Sequence, residues 1–260
     1  MITTQVTDRV IEIVLDAPER LNSLGFGDLE ELATAIRAAA SAVDSGEIGA
    51  LVLRGEGRAF CAGRDISGVD PAEDDVIGYL EGGVETVMRA LSEFPAPTFA
   101  AVQGACLGVG LGLALACDVV YVAERAKLGS PFANLGATLD SGGHWLFTER
   151  LGPHRTLDLI YTAEFMSGRE AVDQGLFSRW VADAELLEFT RVRAAKAASG
   201  AKLAFNASKE LVQQIRDQRV GLWKSMSAEN HAQADLCATE DYREGFASFQ
   251  QKRKPTFTGR

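Results

Sequence analysis

The stretch Val102-Gln103-Gly104-Ala105-Cys106-Leu107-Gly108-Val109-Gly110-Leu111-Gly112 constrains this chain more than any other. Four glycines stand immediately before an apolar, helix-forming run that ends at Cys117-Asp118. Glycine lets another backbone or a ligand approach closely, and a helix start leaves N–H groups free where partial positive charge gathers. Such a turn suits either tight packing of the helix on a neighbouring segment or the binding of a developing oxyanion. A dinucleotide fold is a poor match, because its glycine turn follows the first strand and needs an acid about 20 residues on. A phosphate-binding P-loop is excluded, since no Gly-Lys-Ser/Thr follows.

The surrounding pattern is α/β. Thr3–Val6 and Val10–Leu15 read as a hairpin, Ala50–Leu53 and Thr98–Val102 as buried strands, and Asp118–Val122 and Lys127–Gly129 as two more. Between them, residues 28–43 form a helix with Asp28 at its N-cap and Leu29, Leu32, Ala33 and Ile36 facing inward. A second helix runs from about Val76 to Phe94, stopped by Pro95 and Pro97. Beyond residue 180 the pattern is helical only, with segments at 183–199, 202–218, 222–236 and 241–252. We therefore expect a core over residues 1–198 and a helical C-terminal region over 199–260 that mediates oligomerisation.

The formal net charge of −10 disfavours nucleic acid and anionic membrane as partners, although a few local cations still suffice for an anionic ligand. No segment is apolar for the roughly 18 residues a membrane span needs. Residues 1–6 lack the basic and apolar regions of a signal peptide, so the expected location is cytoplasmic. The four cysteines match no zinc pattern and no small disulfide framework; three lie in apolar contexts and are expected as buried thiols.

A second loop carries equal weight: Arg58-Ala59-Phe60-Cys61-Ala62-Gly63-Arg64-Asp65-Ile66. Taken with the glycine turn and its sequel Leu113-Ala114-Leu115-Ala116-Cys117-Asp118, it resembles the crotonase (enoyl-CoA hydratase/isomerase) superfamily. Pro18-Glu19-Arg20-Leu21-Asn22-Ser23-Leu24, Asp140-Ser141-Gly142-Gly143 and the tail from Glu244 to Phe257 extend the resemblance over nearly the whole chain, in the family's order. It implies a spiral of ββα units with a helical appendage, assembled as a trimer or dimer of trimers. It also implies an acyl-CoA thioester as ligand, with no metal and no further cofactor. The backbone N–H groups of Arg64 and Val109, the latter preceded by Gly108, are the implied oxyanion hole. Ala62, Asp65 and Ile66 would border the coenzyme, and Arg20 would lie near its phosphates.

The family's hydratases use two glutamates, which would fall at Gly112 and Phe132 here; neither is a carboxylate. Without that pair water has no acid and base, and simple hydration is disfavoured. Asp140 matches the aspartate of the family's isomerases, which carries a proton from one carbon to another. Asp140 also reads as a helix N-cap. Three alternatives stay open: isomerase, a hydrolase or dehalogenase with Asp140 as nucleophile, and an acyl-CoA binder without chemistry. The Arg64 side chain is expected to swing into solvent, with contact to a polar acyl group or the coenzyme phosphates as the other option. His144 is a weaker candidate for a second proton carrier, and Trp145 with Phe147 reads as core packing.

Overall fold

The computed structural model describes residues 1–260. The first part runs β1 (Ile2–Thr7), β2 (Val10–Leu15), α1 (Phe26–Ser41), β3 (Ala50–Gly55), α2 (Thr86–Ser92), β4 (Thr98–Val102), β5 (Ala105–Leu107) and α3 (Val109–Ala116). It continues through β6 (Val119–Ala123), β7 (Lys127–Gly129), α4 (Gly143–Leu151), α5 (Pro153–Thr162), β8 (Met166–Ser167), α6 (Gly168–Asp173) and β9 (Arg179–Val181). Four helices close the chain: α7 (Leu186–Ala198), α8 (Lys202–Gln218), α9 (Leu222–Cys237) and α10 (Glu240–Gln250).

Two sheets alternate along the chain. The larger has six strands in the order β1-β2-β3-β4-β6-β9, antiparallel only at its first pair. The smaller is β5-β7-β8. The chain lays β4 into the large sheet and β5 into the small one, returns through α3, and then repeats the move with β6 and β7. This is the ββα spiral. Strands covered on both faces read as nearly continuous apolar runs rather than alternating ones; β2 and β4 are buried at every residue, with Glu12 and Thr98 as their polar members.

Several expected boundaries shift for physical reasons. Asp28 is not the N-cap of α1. Gly25 is, and Asp28 sits one turn in, where its carboxylate accepts from the Gly25 N–H at 2.8 Å. The expected 76–94 helix does open at Val76, but it is π-helical from Gly78 to Glu85 and α-helical again from Thr86 to Ser92. The strands β5, β8 and β9, of two or three residues each, were not expected as strands at all.

Candidate active site

The two loops meet along an extension of the small sheet. Cys61 pairs with Cys106, and Leu24 with Arg64, as isolated parallel bridges. Leu107 N donates to Cys61 O at 2.9 Å, and Cys61 N donates to Ala105 O at 3.1 Å. This brings the Arg64 and Val109 amides side by side: a Cβ on Gly63 would stand only 3.9 Å from Val109 N. Val109 opens α3, where first-turn N–H groups have no partner within their own helix. Neither its N–H nor that of Arg64 donates to a protein acceptor. Gly108, at φ +50° and ψ −117°, makes the sharp entry into the helix and lies under Phe132, whose Cζ would be 3.3 Å from any Cβ there. Two amides without protein acceptors therefore lie close together; a pair of such donors can polarise a carbonyl.

Asp140 lies beyond them, on the segment leading into α4. The N-cap of that helix is Gly142, in the left-handed region, so the capping reading of Asp140 is overturned. The Asp140 carboxylate accepts from the Ser141 hydroxyl at 2.8 Å and faces a cavity of about 790 Å³. Leu80, Val84, Met88, Leu115, Leu139 and Leu146 give that cavity an apolar wall. Burial pushes the Asp140 carboxyl above the ordinary aspartate range, against the opposing pull of the Ser141 hydroxyl and the Arg64 charge. Ser141 is itself held at φ +51°. A Cβ on Gly112 would come 2.5 Å from Ser141 Cβ and 2.9 Å from its carbonyl oxygen. The space beside α3 where a glutamate side chain would begin is already filled by Ser141.

The Arg64 side chain does not swing into solvent. Its guanidinium forks onto Asp74, with Nη1 donating to Oδ2 at 2.8 Å, and stacks 4.2 Å from the centre of the Tyr79 ring. Tyr79 is in turn anchored by its hydroxyl to Leu24 O at 3.0 Å. The planar guanidinium is suited to both contacts at once. Trp145 also departs from expectation: Phe147 is core, but Trp145 is 41% exposed and borders the cavity. His144 is exposed, and its Nε2 lies 3.2 Å from Thr138 Oγ1 rather than against Asp140.

On the expected coenzyme side, Arg20 uses its donors within the protein. It bonds Asp65 at 3.1 Å and Asp28 at 3.0 Å, so two carboxylates already balance its charge. Asp65 also accepts from Ser67 N and Oγ, which fixes the loop turn, and these bonds hold its carboxyl below the ordinary range. Ala62 donates to Leu21 O, and Ile66 presents a side chain 57% exposed, an apolar surface beside the loop. The three apolar-context cysteines are buried thiols as expected; burial pushes the Cys61 thiol up to about 12, which leaves it without nucleophilic character near neutrality. Sequence reasoning missed Asp74, Tyr79, Ser141 as a space-filler, and Arg216 of α8, which also borders the cavity. Apart from Ser141, which adjoins Asp140, none sits at a spacing that links it to a motif.

The ββα spiral thus carries two neighbouring loop amides and one half-buried carboxylate, Asp140, facing a cavity. Comparison with known proteins gives its family. The family model described as enoyl-CoA hydratase/isomerase matches residues 5–260. A probable enoyl-CoA hydratase of Rhodobacter capsulatus is 34% identical, over 98% of this chain and 97% of its own length. The 2,3-dehydroadipyl-CoA hydratase of Escherichia coli is 33% identical, over 97% of this chain and 96% of its own. The crystal structure of an enoyl-CoA hydratase from Bacillus anthracis superposes with a TM-score of 0.91 at 30% identity, covering 100% of this chain and 99% of that one. The chain belongs to the enoyl-CoA hydratase/isomerase family.

Proposed function

We propose that this enzyme moves a double bond within an enoyl-CoA thioester, with Asp140 as the proton carrier. In one direction the Asp140 carboxylate takes a proton from the γ-carbon of a 2-enoyl thioester. The C–H electron pair moves into conjugation, and negative charge collects on the thioester oxygen between the Arg64 and Val109 amides. Asp140 then returns the proton to the α-carbon, leaving a 3-enoyl thioester; the reverse path uses the same groups. One carboxylate with a raised pKa beside an oxyanion hole is sufficient for such a shift, and ketosteroid isomerase divides the labour in the same way. No other cofactor enters the scheme.

The observation that carries this reading is the pair Gly112 and Ser141. Ser141 fills the room beside α3, and Phe132 stands at the second hydratase position, so paired glutamates for water are lacking while one inward carboxylate remains. Several relatives are named as hydratases, and product analysis separates the activities. Proton NMR of a 2-enoyl-CoA incubated with the enzyme should show the 3-enoyl isomer. Accumulation of 3-hydroxyacyl-CoA as the main product would overturn the reading. Free acid with solvent oxygen passing through Asp140 would favour the hydrolase alternative instead.

We further expect the enzyme to work in the cytoplasm as a trimer or dimer of trimers. Exposed aromatics on α9 and α10, with Trp223 at 78% and Phe249 at 83%, support an assembly that covers them. Sedimentation at a single subunit's mass would count against it.

A further inference from the structure

Helix α8 is stitched to the spiral along one face. Lys202 donates to Val43 O, Asn206 to Pro95 O, Lys209 to Phe94 O and Gln213 to Ser92 O. Three- and four-residue steps place these side chains in one row, and three of the carbonyls lie at or just beyond the end of α2, where a helix leaves its last acceptors unpaired. Arg216 comes next in the row and finds no such carbonyl. It reaches the Asp140 cavity, lies 5.4 Å from the centre of the Trp145 ring, and forks onto Asp217, its neighbour in sequence, at 2.7 and 2.9 Å.

The cavity's charges are sorted by depth. Those on the π-helical stretch and α2, together with Asp217, are exposed at the rim; Asp140 and Arg216 alone are half-buried. Arg150 of α4 adds positive charge nearby. It donates to Leu146 O at 3.2 Å, and burial, reinforced by the Arg216 charge, pushes its guanidinium below the ordinary range. The cavity thus carries one inward carboxylate and one inward guanidinium over an aromatic ring, separated by an apolar wall. An exposed i,i+1 carboxylate such as Asp217 is a weak partner that a better-placed anion can replace, because exposed ion pairs are worth little.

We propose that Arg216, stacked over Trp145, is the specificity-determining residue of the cavity, and that it recognises a carboxylate at the far end of an acyl chain whose thioester end lies beside Asp140. This rests on the acyl-CoA reading of the site. Asp217 presents to Arg216 the same chemical group that the substrate would present. Planar bidentate recognition of a carboxylate is what a guanidinium does best.

The test is calorimetric titration of the protein with saturated acyl-CoA thioesters of graded length, each with and without a terminal carboxylate. Saturated thioesters have no double bond to move, so binding is read apart from catalysis. The carboxylate-ended member of one chain length should bind best. Arg216→Met should weaken that ligand about ten- to a hundredfold and leave its alkyl counterpart unchanged, the expected range for losing a hydrogen bond between charged groups. Asp217→Asn, which removes the competing anion, should tighten the carboxylate-ended ligands only. Equal weakening of both ligand types by Arg216→Met would overturn the proposal, as would alkyl preference in the parent protein or no tightening in Asp217→Asn. Binding of acyl-CoA without carboxylate preference overturns this inference alone; no binding of any acyl-CoA overturns the acyl-CoA reading with it.

Discussion

Gly112→Ala is expected to destabilise this protein, although the same change in most helix interiors helps. Gly112 lies within α3, where alanine gains about 1 kcal/mol over glycine from helix propensity. Here the new Cβ would fall 2.5 Å from Ser141 Cβ and 2.9 Å from its carbonyl oxygen. Overpacking of a close-packed site costs about 1–3 kcal/mol, so the net loss should be about 0–2 kcal/mol. Ser141→Gly removes the nearer contact and relieves a non-glycine residue at φ +51°, a conformation costing about 1–2 kcal/mol. In that background the 2.9 Å contact with the residue-141 carbonyl oxygen remains, so Gly112→Ala should still cost stability but less of it, giving a coupling energy of about 1 kcal/mol in a double-mutant cycle. Urea unfolding of the four proteins measures it. If Gly112→Ala raised stability by about 1 kcal/mol in both backgrounds, Ser141 would not be filling the room beside α3, and the argument against a glutamate there would fail.

Other perturbations have equally definite signs. Arg64→Met keeps the backbone amide but removes the cation that pulls the Asp140 carboxyl downward, so the acid limb of the pH–rate profile should move to higher pH; an unmoved limb refutes the coupling. Asp140→Asn should stabilise the fold at neutral pH. The folded-state pKa is raised above the unfolded one, so the wild type loses stability as pH rises through that interval, and the gain in the variant should vanish below the ordinary aspartate range. Asn22→Ala removes a buried side chain that accepts from Ala17 N and donates to Glu56 O and Ala59 O. Loss of about 2–4 kcal/mol in chemical denaturation is expected.

Long-range architecture was legible in the sequence wherever burial left a mostly apolar strand or a periodic apolar helix face. Strands β2, β3, β4 and β6 and the facing residues of α1 are of that kind, as is the α/β-then-helical order. Of the four strands of two or three residues, only β7 was legible; β5, β8 and β9 carry no periodicity and are made by register with β7 or β6. The amides of Arg64 and Val109 were located in advance by two glycine-bearing loops, and their juxtaposition follows from the Cys61–Cys106 bridge. Side-chain destinations were less visible. Arg64 was expected in solvent because nothing local holds it; its partners Asp74 and Tyr79 come from a loop and a π-helical turn that only the fold brings near. Arg216 reads as one more charge on a helical surface until α8 docks beside Trp145.

The central claim, that Asp140 carries a proton between carbons of an enoyl thioester, is tested most directly by hydrogen exchange. Wild-type enzyme and Asp140→Asn would be incubated with an enoyl-CoA in deuterated buffer, and label at the α- and γ-carbons followed by NMR. The wild type should incorporate deuterium at both carbons, and the variant should bind the thioester as tightly but exchange about 10²–10⁴-fold more slowly, the range a positioned acid–base group supplies. Exchange at the wild-type rate in Asp140→Asn would contradict the account.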